Sequence, residues 1–191
     1  MLDSHHSPKY FIALDVPPAF TKLATEFRAQ NERTVKNADW LGAQDFHITL
    51  RFLGPLKDGQ LEELTKRLGR IKRPKINVET GGLDIFGHKA NKVLYAAVPS
   101  VRKLTTLVAD INDVIAPMGF DMPNKPFVPH ITLLRSPDMA GITKLMKSQK
   151  SGILRHVWTA GAFSLYTSGH AKGASDANAA HYRKEQTFTL S

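Results

Sequence analysis

The chain has 191 residues, of which 42% are apolar and 23% charged, an ordinary composition for one soluble domain or a pair of small lobes with a real core. No apolar run approaches the ~20 residues of a membrane span, and without cysteine the chain has neither disulfides nor thiolate chemistry nor cysteine-ligated metals. The 26 Lys and Arg residues against 17 Asp and Glu give a net charge of +9, which suits a polyanionic partner, whether nucleic acid, nucleotide or anionic surface, and equally suits a generally soluble basic protein. The N-terminal stretch lacks the basic start, long apolar core and small-residue cleavage site of a secretion signal, so a cytoplasmic protein is expected.

In chain order, the first predicted strand is "FIALDVP" from Phe11 to Pro17, ended by proline. A helix follows, with Phe20, Leu23, Ala24 and Phe27 on one face. "HITLRFLG", from His47 to Gly54, reads as the next strand. Asp58 is then expected to cap a helix carrying Leu61, Leu64 and Leu68, and the stretch from Lys75 to Phe86 is strand-like. The same succession begins again at "LYAAVP", from Leu94 to Pro99. It continues with a helix bearing Val101, Leu104, Val108, Ile111 and Ile115, and with "HITLLR" from His130 to Arg135. Asp138 opens a shorter helix with Ile142, Leu145 and Met146, and strands are predicted from His156 to Ser168 and from Arg183 to Ser191. The stretch from Gly169 to Ala180, rich in Gly, Ala and Ser, reads as a mobile loop.

Val16 precedes His47 by 31 residues and Val98 precedes His130 by 32, so the halves, about 9–86 and 92–190, form an internal duplication. The expected architecture is α+β and bilobal. Two pseudo-two-fold related β-α-β-α-β lobes would make one domain over 1–191, with antiparallel sheets facing each other across a central groove.

Side chains alternate along a strand, so His47 and Thr49 share one face of the first motif, and His130 and Thr132 share one face of the second. Duplication preserves apolar positions for packing. Here the polar positions recur as well, and a histidine beside a core is costly unless its hydrogen bonds are met. Two imidazoles across a groove, one neutral and one protonated, can act as general base and general acid near pH 7. Hydroxyls beside them can bind phosphate oxygens.

These residues resemble the two-histidine phosphoesterases, and more narrowly the RNA 2',3'-cyclic phosphodiesterases first described as 2'-5' RNA ligases (the LigT-like proteins). The likeness is carried by the paired H-x-T-x motifs, "YFIALDVPP", "LDIFG", "VLYAAV" and "FVPHITLLR". It implies attack on a terminal 2',3'-cyclic phosphate of RNA to leave a 2'-phosphate, without metal or other cofactor. His47 would be the general acid and His130 the general base, while Thr49, Thr132 and Arg135 would bind the phosphate. The same site could join the end to a 5'-hydroxyl as a 2'-5' ligase, or act on a small cyclic nucleotide. A binding module for RNA without turnover is the reading from another class. A monomer without membrane attachment is expected.

Strict alternation puts Arg135 on the face opposite His130, and only a bulge or the strand's end turns it inward. By the same rule Arg51 shares a face with His47, where it could meet a phosphate, and Asp45 shares that face too. Three or four ligands of a zinc hydrolase are not evident. The remaining histidines, His5, His6, His88, His156, His170 and His181, are expected at solvated positions. Trp40, Phe46, Phe127 and Tyr182 are candidates to stack on a base, each more often a core residue. The basic run from Lys66 to Lys75 could follow an RNA backbone or merely be a solvated face.

Overall fold

A computed structural model describes residues 8–87, 91–150, 152–168 and 181–191. The predicted loop at 169–180 lies outside them, as do His5, His6, His88 and His170. In chain order the elements are β1 (Lys9–Asp15), α1 (Pro18–Asn31), β2 (Asp39–Trp40), β3 (His47–Pro55), α2 (Gln60–Leu68), β4 (Ile76–Glu79) and β5 (Leu83–Phe86). Then come β6 (Lys92–Ala97), α3 (Arg102–Ile115), β7 (His130–Ser136), α4 (Met139–Ser148), β8 (Val157–Ala160), β9 (Ala162–Ser168) and β10 (Tyr182–Thr189), with one short 3-10 turn, Ala116–Met118, after α3. No helix among the described residues is long and apolar enough to cross a membrane.

Local chemistry accounts for the helices. Pro18 stands in the first turn of α1, where its missing N–H and fixed φ cost nothing. Phe20, Ala24 and Phe27 form the buried stripe of that helix. In α2, Leu64 and Leu68 are fully buried, worth about 2 kcal/mol apiece by area removed from water. Asp58 does not cap this helix. Gly59 occupies the cap position with φ of +77°, which a glycine takes at little cost, and the Gln60 side chain accepts from the Lys57 N–H instead. Asp138 does cap α4, accepting from the Gly141 N–H at 2.9 Å, and its other oxygen accepts from the Lys36 N–H at 2.8 Å, tying α4 to the segment after α1.

Two stretches expected as single strands are each divided. Lys75 to Phe86 breaks at Thr80, whose hydroxyl donates to the Leu154 carbonyl at 2.5 Å and accepts from the His156 N–H at 2.8 Å. His156 to Ser168 breaks at Gly161. The first piece of each, β4 and β8, pairs with the other in a small antiparallel sheet, while β5 and β9 join the main one.

The halves are antiparallel as expected, but their strands do not form two separate sheets. They merge into one eight-stranded sheet of order β10-β9-β1-β3-β7-β6-β5, with β2 against β7. The junction of β3 and β7 is a single register pair, Ile48 opposite Ile131, and both residues are fully buried. The helices cover that apolar side, where Phe20, Leu64, Leu104 and Ile142 meet Ile12, Leu14, Leu94 and Leu133 in one core. The opposite side carries a small cluster of Phe11, Ala13 and Tyr166, against which Tyr182 packs.

Candidate active site

His47 starts β3 and His130 starts β7, one in each half, on strands that touch at the next residue. Each imidazole is fixed in the same way. His47 Nδ1 lies 2.7 Å from the Asp45 carbonyl, and His130 Nδ1 lies 2.7 Å from the Val128 carbonyl. A carbonyl can only accept, so each Nδ1 carries the hydrogen, and in the neutral rings each Nε2 is left with its lone pair. His47 Nε2 is 3.0 Å from the Thr49 hydroxyl.

Both histidines, both threonines and Arg135 line one cavity of about 360 Å³, together with Phe11, Phe52, Phe86, Val93, Ser168 and Tyr182. The route by which Arg135 gets there is a bulge. Tyr95 opposes Thr132 and Leu94 opposes Leu134, which leaves Leu133 as the extra residue. Alternation resumes one residue out of phase, so Leu133 and Leu134 are both buried and Arg135 comes round to the face of His130. There its guanidinium is 3.8 Å from the Asp39 carboxylate and 3.5 Å from the Tyr182 hydroxyl.

The first half has the same irregularity at the same place. Ile12 opposes Arg51 and Ala13 opposes Thr49, so Leu50 is extra. Arg51 is thereby turned away from His47 and buried, donating to the Asp121 carbonyl. The face-sharing expected for Arg51 is corrected by the same bulge that brings Arg135 in. Phe52 takes the position that Arg135 holds in the second half.

The electrostatics of the two rings differ. Burial, set against a weaker upward pull from the Asp45 carbonyl and further depression by His130, lowers His47 to about 4. His130 is lowered too, mainly by burial and further by Arg135. The packing explains the order. His47 sits against Phe11, Tyr182 and Tyr166, with ring centroids at 4.8, 5.1 and 6.0 Å, whereas His130 meets Phe86 at 4.8 Å and Tyr95 at 5.3 Å. Burial thus favours the neutral form of both imidazoles.

Among the other residues singled out in the sequence, Asp45 is buried and its carboxylate accepts from both the N–H and the ring Nδ1 of His181. That contact pins the start of β10 and with it Tyr182. Phe46 is a core residue and Trp40 packs on Phe27. In the basic run, Arg67 pairs with Glu63 and Arg73 with Asp110. Phe11, Phe52, Phe86, Val93 and Ser168 were not expected at the cavity. Period-two alternation from His47 and His130 finds none of them, because they come from neighbouring strands or from beyond a bulge. Tyr182 alone among the proposed stacking residues reaches it.

The sequence matches the 2'-5' RNA ligase superfamily over residues 16–171. It is similar to proteins named RNA 2',3'-cyclic phosphodiesterase. With that of Bacillus subtilis it is 28% identical over 131 residues, 67% of this chain and 71% of the relative. With that of Aquifex aeolicus it is 32% identical over 133 residues, 63% and 71% of the two chains. With that of Geobacillus stearothermophilus it is 27% identical over 129 residues, 66% of this chain, which spans only 41% of the relative's length. The fold is shared with E. coli LigT in its apo form, at a TM-score of 0.75 and 23% identity over 96% of this chain and 98% of that one. A family match across residues 16–171, in a structure where both H-x-T-x strands meet at one cavity, establishes that the chain belongs to the 2'-5' RNA ligase superfamily of two-histidine phosphoesterases.

Proposed function

We propose that the protein hydrolyses the 2',3'-cyclic phosphate at the end of an RNA to a 2'-phosphate. The observation that carries the reading is the matched pair of imidazoles, each held through Nδ1 so that Nε2 is turned to the proton-transfer role, in one cavity with two threonines and an arginine. The net charge of +9 suits an RNA substrate. The named activity of the relatives supports it as well.

His130 Nε2 takes a proton from water as the water oxygen bonds to phosphorus. The bond from phosphorus to O3' breaks in line, and His47 Nε2–H gives its proton to O3', leaving the phosphate on O2'. Thr49 and Thr132 donate to the non-bridging oxygens, and the Arg135 guanidinium offsets the charge that builds on them. The scheme calls on no metal or other cofactor. One chain supplies both halves of the site, so a monomer suffices.

Burial opposes the protonated state that this scheme asks of His47. The bound phosphodiester supplies the compensation: an anion at about 4 Å is worth on the order of 4 kcal/mol at an effective dielectric of 20. The acid is therefore armed by its substrate. A 5'-hydroxyl of a second RNA in place of water would give a 2'-5' linkage by the same displacement.

The test is incubation with RNA ending in a 2',3'-cyclic phosphate, with chelator present, and identification of the products. A 2'-phosphate is expected. A 3'-phosphate would mean that the other oxygen leaves, and activity lost to EDTA and restored by zinc would refute proton transfer by the histidine pair alone.

A further inference from the structure

Asp45 stands two residues ahead of His47, just before β3, and its backbone and side chain face different partners. The backbone carbonyl accepts from His47 Nδ1–H at 2.7 Å. The side chain is buried, only 1% exposed, and its carboxylate is met by a residue 136 positions away. One oxygen accepts from the His181 N–H at 2.8 Å and the other from the His181 ring Nδ1–H at 2.7 Å. Tyr182, the next residue, begins β10, stands edge-on to His47 at 5.1 Å and brings its hydroxyl to 3.5 Å from Arg135.

A carboxylate is costly to bury unless donors meet it, so one with both oxygens occupied holds its residue firmly in place. The second half of the chain has no counterpart. At the matching place before His130 stands Val128, an exposed apolar residue that offers the ring its carbonyl at 2.7 Å. Asp15, opposite His47 on β1, does not substitute for Asp45, because its carboxylate is taken up by the Tyr166 hydroxyl at 2.5 Å and the Lys184 ammonium at 2.6 Å. The charges about the two rings differ accordingly. At His47, burial is opposed by the Asp45 carbonyl and, with less weight, by the Asp45 carboxylate, while His130 and Arg135 reinforce it. At His130, burial is opposed by the Val128 carbonyl and reinforced by Arg135.

We propose that Asp45 and His181 are a positioning pair for the catalytic acid: His181 fixes the buried Asp45 carboxylate, and Asp45 in turn aims His47 through its carbonyl and sets a negative charge near that ring. The inference rests on the cyclic phosphodiesterase reading for the role of His47. The asymmetry matches the two roles. The acid has to carry a proton while packed against Phe11, Tyr166 and Tyr182, and a carboxylate on the residue that binds its Nδ1 favours that state while leaving Nε2 to the substrate. The base has to be neutral, and a carbonyl is enough to fix its tautomer. The same contact gives His181 a second effect, since it seats Tyr182 between His47 and Arg135 at the wall of the cavity.

The test measures turnover of an RNA with a 2',3'-cyclic phosphate end by the wild-type protein, Asp45→Asn, His181→Ala and His181→Asn. Asp45→Asn keeps the shape and removes the charge. It should lower kcat about tenfold with KM changed less than about twofold, and move the alkaline limb of kcat, where bound His47 loses its proton, down by about one pH unit. His181→Ala should lose kcat to a similar degree. His181→Asn, whose amide N–H can stand where the ring Nδ1–H stood, should recover most of that loss. An unmoved limb in Asp45→Asn, or His181→Asn no better than His181→Ala, would overturn the pair. Should Asp45→Asn not fold, the His181 series decides alone. If wild type does not turn the RNA over, it is the catalytic reading that fails. Exchange of the imidazole Nδ1 protons with water, followed by NMR in wild type and His181→Ala, then decides the pair separately. Exchange about tenfold faster at His47 and unchanged at His130 upholds it, and no change, or an equal change at both rings, overturns it.

Discussion

The depression of His47 makes a quantitative demand on the pH dependence. Moving its pKa from 6.5 to about 4 corresponds to about 3 kcal/mol against the charged ring. The productive state of the free enzyme holds one proton on the pair. That state exists between the pKa of about 4 and the lowered pKa of His130, so its alkaline limb falls below 6.5. The profile of kcat/KM reports the free enzyme, so it should be highest on the acid side of neutrality and fall about tenfold per pH unit above it. Once the anionic phosphate is bound, it returns roughly what burial removes, and the alkaline limb of kcat should lie about 2 to 3 units higher. Initial rates on an RNA with a cyclic phosphate end, from about pH 4 to 9 at constant ionic strength, separate the two profiles. Coincident alkaline limbs above pH 7 would show that the empty site does not suppress the proton and that the substrate does not restore it.

The same shift acts on stability. Because His47 is lowered in the fold, the unfolded chain binds more protons between pH 6.5 and about 4, so stability should fall by about 3 kcal/mol as pH is lowered through that window. Denaturant melts of wild type and His47→Gln should differ in that slope, and parallel curves would exclude His47 as the source. Arg135→Ala should lower kcat on the order of 100-fold with little change in KM, as expected for a group that meets charge in the transition state. A change confined to KM would assign Arg135 to ground-state binding. Alanine at either His47 or His130 should nearly abolish turnover, and the double variant should be hardly worse than either single one. Independent, additive losses would break the pairing. Ile131→Ala removes a fully buried side chain from the only β3 and β7 register pair, and should cost about 2 to 5 kcal/mol by denaturant unfolding. A loss under about 1 kcal/mol would mean that the junction relaxes around the cavity.

Alternation and helical spacing were enough to place the strands of the two motifs, four helices and the pair of imidazoles, because those features repeat within each half. The features that decide the site's asymmetry were not legible, since each depends on partners far away in the chain. A bulge is a property of two strands: Leu133 is extra only because Tyr95 and Leu94 oppose Thr132 and Leu134. In "HITLLR" the adjacent Leu133 and Leu134 break strict alternation, but the segment alone does not say whether a bulge or the strand's end accounts for it. Likewise the breaks at Thr80 and Gly161 follow from β4 and β8 pairing with each other, a contact spanning some 80 residues that local patterning does not register. Asp58 failed as a cap for a local reason, the left-handed Gly59 beside it.

The two bulges also show how a duplicated scaffold can carry a reaction that has a direction. Each falls three residues after its histidine, at Leu50 and at Leu133, so each turns the fifth residue after the histidine toward the cavity. In one half that residue is Phe52, exposed and apolar; in the other it is Arg135. Both H-x-T-x strands therefore present an imidazole and a hydroxyl to the cavity, while the cation comes from one of them alone. On the proposed function, Arg135 would draw a phosphate toward its own strand, whereas Phe52 lies where the catalytic cavity joins a neighbouring one. Exchanging these two side chains, Phe52→Arg with Arg135→Phe, keeps composition and scaffold but moves the cation from β7 to β3. If position alone sets the direction, the exchange should not restore what Arg135→Ala loses, because the cation would then stand on the strand of His47 and no longer on that of His130. Recovery of kcat in the double variant would show instead that one cation anywhere on the rim is sufficient.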